Sequence, residues 1–416
     1  MSYLKNSQEL LNRFLTYVKT YSQSDSIQAD KGIQPSTPQQ NDMAALLNKE
    51  MKTLGLTEVQ TTEYCYTYGF LPASPGFEDK PCICLLAHID TVEEVSGKDV
   101  KPILHENYSG EKIHLPYGII LDPASDADLA KTASTGDTII TSDGSTLLGA
   151  DDKAGVAEIM TTLEYLLKNP DVKHGPIEVI FSPDEETGHG MDHVPLNLIK
   201  SKFAYTVDGG NIGELEKECF NAFKSDVTFI GKSVHTGSAR PNLVNAIVMA
   251  SSFVTNLPRH EMPETTDGYM GFYGPMSIEG SIEKASVNLI LRDFCKEGIE
   301  KRKNLVDKIA TTVAESFGGK VEIVHTPQYV NMKENLDKNP FVVEKLVKAY
   351  ENAGVTPLFV PIRGGTDGSR LTELGIPTPN IFTGGHSYHS RYEWASLKQM
   401  TVAVEVLLEL IKEVSL

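Results

Sequence analysis

The run Cys82-Ile83-Cys84-Leu85-Leu86-Ala87 is almost wholly apolar, as a strand covered on both faces has to be. Such a strand belongs inside a parallel sheet, and that sheet needs helices packed on either side of it. The run ends in His88-Ile89-Asp90-Thr91. A second, β-branched run, Ile177-Glu178-Val179-Ile180, passes into Phe181-Ser182-Pro183-Asp184-Glu185-Glu186 and is closed by Gly188 and Gly190. Open α/β sheets bind ligands at the carboxyl ends of their strands, where residues leave the packed layer and are free to be polar. Adjacent glutamates are also common on solvated surfaces, so Glu185-Glu186 gains meaning only from its company.

That company is extensive. Phe203-Ala204-Tyr205-Thr206-Val207 ends in Asp208-Gly209-Gly210, and Pro379-Asn380-Ile381-Phe382-Thr383 leads to Gly384-Gly385-His386 and His389. Gly149-Ala150-Asp151-Asp152-Lys153-Ala154-Gly155 opens a helical pattern from Val156 to Leu167. Imidazoles and carboxylates converging in this way suit zinc, manganese or cobalt, and a bridging carboxylate suits two such ions. The residues alone leave Asp151 and Asp152 as rivals, and likewise His386 and His389. His189 and His193 read as loop residues.

At 416 residues the chain exceeds what one core usually serves. Helix and strand alternate as far as about residue 217, interrupted at 96–140 by a polar excursion that reads as a hairpin beside the site. From Cys219 the pattern becomes a strand (222–230), a helix (242–256), two strands (269–278, 284–294), a helix (298–317) and a strand (321–325). The α/β rhythm then returns to the end. The expectation is a discontinuous α/β catalytic domain, 1–218 and 330–416, with a mixed, largely parallel sheet. An α+β domain, 219–329, is inserted as a lid opposite the strand ends, so that hinge closure belongs to the mechanism.

The net charge of −18 repels nucleic acid and anionic membrane surfaces alike. An amphipathic helix with Leu10, Leu11, Phe14, Leu15 and Val18 follows Met1 to Ser7, without a signal-peptide core, and no apolar run has the length of a membrane span. The five cysteines are odd in number and lack a metal-type spacing, which points to free thiols and a cytoplasmic location. Cys82 and Cys84 share one face of their strand and read as packing residues.

Five segments together resemble the motif series of the M20 di-zinc peptidases: Ala87–Thr91, Leu148–Gly155, Asp184–Gly188, Val207–Gly209 and His389–Glu393. Pro361-Ile362-Arg363-Gly364-Gly365-Thr366-Asp367-Gly368, Gly271-Phe272-Tyr273 and the inserted segment further resemble the tripeptide-cleaving aminopeptidases of that family. The resemblance implies two zinc ions per subunit, with cobalt or manganese as substitutes. It implies that Asp151 bridges them, that His88 and Asp208 complete one site, and that Glu186 and His389 complete the other. Asp90 would then fix the His88 tautomer, its rival role being a helix cap before Val92. Glu185, beside the metals but not ligated, would be the general base. His235 in Gly231–Gly237 resembles the family's lid histidine, which often comes from the partner subunit of a dimer. Arg292 resembles its carboxylate-binding arginine, with pairing to Asp293 as the alternative. Arg363, expected on the catalytic domain, would complete a clamp on the peptide carboxylate from the opposite side. The Gly-rich turn after it lacks the Gly-Lys-Ser/Thr ending of a nucleotide loop.

The function implied is removal of the N-terminal residue from tripeptides, in a possible homodimer. An N-acyl-amino-acid amidase of the same family is the alternative, and a non-catalytic peptide- or metal-binding protein is the alternative from another class.

Overall fold

The computed structural model describes residues 7–133 and 135–416, so the expectation for Met1 to Asn6 lies outside the described residues. The chain divides into two compact units. One comprises the chain up to Lys217, Glu334–Val360 and Thr366–Leu416; the other comprises Glu218–Lys333 and Pro361–Gly365.

The first unit is built on an eight-stranded sheet. Its centre is the doubly apolar strand Ile83–His88, buried throughout, which runs parallel to Ile177–Ser182 on one side and to Ala204–Gly209 on the other. Asn380–Phe382 continues the parallel order beyond Ala204–Gly209. Thr67–Leu71 and Thr57–Thr61 close one edge as an antiparallel pair. Glu214–Glu216 and Leu358–Phe359 close the other. Parallel strands leave all their carboxyl ends on the same side, so the ends at His88, Ser182 and Gly209 emerge together. The helix Ala150–Lys168 packs on Ile83–His88 and Ala204–Gly209. It approaches so closely that a Cβ on Gly155 would lie 1.8 Å from the carbonyl oxygen of Val207.

The excursion at 96–140 does more than form a hairpin. Ile113–His114 and Ile120–Leu121 do pair that way. However, Ile103–His105 and Ile139–Thr141 build a separate sheet with Trp394–Ser396 and Gly385–His386, from the far end of the chain. Hydrogen bonds tie the strand Trp394–Ser396 to the excursion, from Trp394 Nε1 to Asp126 Oδ2 (2.9 Å) and, buried, from Ser396 Oγ to Asp137 Oδ2 (2.5 Å). The excursion therefore frames the segment that carries His389.

The second unit is a four-stranded antiparallel sheet, Phe272–Gly280, Lys284–Asp293, Asn221–Ile230 and Lys320–Tyr329, covered by the helices Ala246–Asn256 and Lys296–Phe317. Its core joins Val227, Phe229, Phe253, Val287, Leu289 and Val306. The first of these helices starts at Ala246, later than the periodicity implies, because the Asn245 side chain caps it by accepting the Ile247 N–H. No helix among the described residues is long and apolar enough to cross a membrane.

Candidate metal centre

Four strand ends and one helix start bring their polar residues together in the first unit. His88 Nε2 lies 2.9 Å from Asp151 Oδ1 and 3.5 Å from Asp208 Oδ1. His389 Nε2 lies 3.2 Å from the other oxygen of Asp151 and 3.1 Å from Glu186 Oε2. Two donor groups result, His88–Asp151–Asp208 and Asp151–Glu186–His389, and each has its ligand atoms within 4.8 Å of one another. Asp151 belongs to both groups, so this carboxylate is the one placed to sit between two cations.

The rivals have other partners. Asp152 is fully buried, and its carboxylate accepts the backbone N–H groups of His88 (3.2 Å) and Gly155 (3.2 Å). His386 stacks on Trp394 at 3.8 Å and meets Gln399 Oε1 at 3.2 Å, outside both groups.

The donor set fits a pair of divalent cations. It offers two imidazoles and three carboxylates, and one oxygen of Glu186 is buried with no hydrogen-bond partner among the described residues. Its electrostatics call for positive charge. Burial and the neighbouring Asp151 push Glu186 up to about 8, and burial likewise lifts Asp208 to about 6. Against the effect of burial, contact with Asp151 and Glu186 raises His389 to about 11. The two imidazoles in turn hold Asp151 below its usual range although burial opposes this. Glu185 belongs to neither donor group, yet it feels His88, Asp208 and Glu186, and burial raises it well above the ordinary carboxylate range.

Asp90 does two things at once. One of its oxygens lies 3.3 Å from His88 Nδ1, the nitrogen facing away from Asp151, and its backbone carbonyl lies 3.2 Å from the same atom. Its carboxylate also accepts the N–H groups of Glu185 (3.0 Å) and Glu186 (3.2 Å). No helix follows at Val92; the turn that Asp90 caps is the remote one carrying the two glutamates.

Glu393 closes the motif that begins at His389, and the structure gives it a definite task. Its buried carboxylate accepts the N–H groups of Leu148 (2.7 Å), Gly149 (2.7 Å) and Asp151 (3.1 Å), so it grips the backbone that presents Asp151. Its position four residues after His389 in the same loop was the only available signal.

Three expected residues lie in the second unit. His235 is exposed, and its Nδ1 accepts the Gly237 N–H at 3.1 Å. Arg292 is nearly buried; its Nη1 donates to Gln328 Oε1 (2.9 Å) and Leu291 O (3.1 Å), and its guanidinium lies over the Tyr329 ring. Asp293 instead pairs with Arg302. Arg363 requires a correction: it belongs to the second unit, not to the catalytic one. Its Nη groups donate to Gly268 O, Met270 O and Thr266, and it lies over Phe220 and Phe272. A clamp of two arginines drawn from opposite domains is therefore not what this chain builds.

Comparison with known proteins agrees with this architecture. Peptidase T of Clostridium perfringens is 46% identical over 401 residues, covering 96% of this chain and 97% of its own. Peptidase T of Geobacillus thermodenitrificans is 44% identical over 408 residues, covering 97% and 98%. Among solved structures, a tripeptidase from Staphylococcus aureus superposes with a TM-score of 0.78 at 23% identity, covering 99% of both chains. The aminopeptidase PepT from Bacillus cereus does so with a TM-score of 0.77 at 24% identity and the same coverage. At that identity the structural likeness is one of fold. The model of peptidase family M20/M25/M40 matches residues 142–413. With two donor groups sharing one aspartate, this fold and these relatives, the chain belongs to peptidase family M20.

Proposed function

We propose that this protein is an aminopeptidase that hydrolyses the N-terminal peptide bond of tripeptides. Near-full-length relatives named peptidase T support the substrate class. One observation carries the chemistry: Glu185 is a carboxylate set against both donor groups while belonging to neither. In this reading His88, Asp151 and Asp208 hold one divalent cation, and Asp151, Glu186 and His389 hold the other, with zinc the preferred metal. When bound, the pair of cations supplies an acidified water and polarises the scissile carbonyl.

The remaining work falls to the chain. Glu185 takes the proton from the attacking water and returns it to the departing amine, a role suited to a carboxyl whose burial has already lifted its pKa. Asp90 holds His88 in one tautomer and fixes the backbone N–H groups of the glutamate turn. Arg292 is the partner we assign to the peptide's C-terminal carboxylate, and His235 donates to the oxyanion. Arg363, its Nη groups already engaged, braces the segment 266–270. Cysteines that form no disulfide fit a cytoplasmic protein, and a homodimer is the assembly we expect.

The test is product analysis by mass spectrometry with zinc-loaded protein given Ala-Ala-Ala, Ala-Ala, tetra-alanine and N-acetyl-alanine. Free alanine from the tripeptide alone is expected. Cleavage of the acetylated compound alone would transfer the protein to the amidases, and no turnover at all would make it a binding protein. Glu185→Gln should keep its metal while turnover falls by ~10²–10⁴-fold, measured as kcat alongside metal content; a fully active variant removes Glu185 from its role.

A further inference from the structure

Glu185 has to meet a proton at a defined point; its own short turn is closed by Gly188 N to Glu185 O (2.7 Å), and further bonds reach that turn from outside. The residue before it, Asp184, is buried and lies in the left-handed region at φ 59°; its backbone carbonyl accepts Thr187 Oγ1 (2.8 Å) and the His189 N–H (3.1 Å), but its side chain makes no capping bond to the turn. Its carboxylate is instead taken up by a segment far earlier in the chain. Ser36 N donates to Oδ2 (2.8 Å), Ser36 Oγ donates to Oδ1, and Gln40 Nε2 donates to Oδ1 (2.6 Å). Gln40 Oε1 receives the Asp184 N–H in return (3.1 Å).

The same segment also holds the loop that carries Asp90. Ser22 Oγ donates to Ile89 O (2.6 Å), Ser24 N donates to Thr91 O (3.0 Å), and Thr91 N donates to Ser22 O (3.3 Å). Its two ends are tied to each other through Asp25 N to Ser36 Oγ (2.9 Å) and Thr37 Oγ1 to Gln23 O (2.5 Å). Asp90 closes the circuit by accepting the N–H groups of Glu185 and Glu186. The glutamate turn is thus gripped from both sides by buried carboxylates, and both are referenced to residues 22–40.

We infer that residues 22–40 are a strap that sets the position of Glu185, with Ser36 and Gln40 as positioning residues acting through Asp184. The physical reason is the cost of a buried carboxylate: Asp184 keeps its place only while those donors reach it. Without them the left-handed backbone at Asp184 keeps only the bonds that its carbonyl accepts from Thr187 and His189, and the side chain one residue on is less firmly placed. The inference rests on Glu185 acting as the base.

The experiment uses the metal-loaded full chain and reads kcat, KM and metal per chain with a tripeptide substrate. Gln40→Met should lower kcat by ~10–100-fold, with KM and metal content within about twofold of the parent. Ser36→Ala should do the same more weakly, and Ser36→Thr, which keeps the hydroxyl, should recover most of the rate. If Gln40→Met does not fold, Ser36→Ala, which deletes one hydroxyl, carries the test. Combined with Glu185→Gln, neither strap variant should slow the enzyme further, because the strap works only through that side chain.

An unchanged kcat in the strap variants, a multiplicative loss in the double variants, or a loss of metal that accounts for the rate would each overturn the inference. Full activity of Glu185→Gln alone would instead overturn the assignment of the base, whatever the strap variants do.

Discussion

His386 and His389 stand three residues apart, and their neighbours give them opposite characters. His389 faces two carboxylates and is driven toward the charged form. His386 lies flat on Trp394, and burial lowers its pKa to about 4. Unfolded, a histidine titrates near 6.5, so between about 6.5 and about 4 the unfolded chain binds the extra proton. The contribution of His386 to stability is therefore complete above about pH 6.5 and is lost as the pH falls toward 4. Denaturant melts across that window should show stability declining with acid, with a shallower slope in His386→Gln. An equal slope in the two proteins would mean that this ring is not a source of acid sensitivity.

Among the elements, the contact between the helix Ala150–Lys168 and the strand Ala204–Gly209 bears most directly on the site, because it sets Asp151 against Asp208. Gly155 makes it possible, since a methyl group there would collide with Val207 O and with Asp152 Oδ1. Gly155→Ala should destabilise the protein by about 3 kcal/mol through forced separation of helix and strand, read as a lower denaturation midpoint with an unchanged slope. What could be read from the sequence follows the same division. Strand ends were legible because a doubly apolar run has few places to go, and the residue after it is exposed to chemistry. Ser36, Gln40 and the grip of Glu393 were not, because they are ordinary polar residues whose partners are backbone groups or side chains more than a hundred positions away. The unit to which Arg363 belongs is not legible in the sequence, because the chain crosses between units there for only five residues, Pro361–Gly365, too short a stretch to alter any periodicity.

Over the whole molecule, charge is divided unevenly. Residues 218–333 carry thirteen acidic and thirteen basic side chains, so the net charge of −18 falls on the rest of the chain. A negative field around the unit that holds the metal centre favours approach of cations and of peptides with basic side chains, and salt screens it. Raising ionic strength should lower kcat/KM for a lysine-containing tripeptide and raise it for a glutamate-containing one; parallel responses would show that the field does not reach the substrate. The order of the chain has a consequence for biosynthesis as well. The N–H of Asp151 is held by a carboxylate 242 residues downstream, and His389 arrives in the same late loop. A ribosome that has already produced the central strands has produced one donor group, His88, Asp151 and Asp208, but not the His389 of the other. The second group and the grip on Asp151 wait until translation has passed residue 393, so a nascent chain stalled earlier presents its carboxylates to the cell without the geometry to retain two ions.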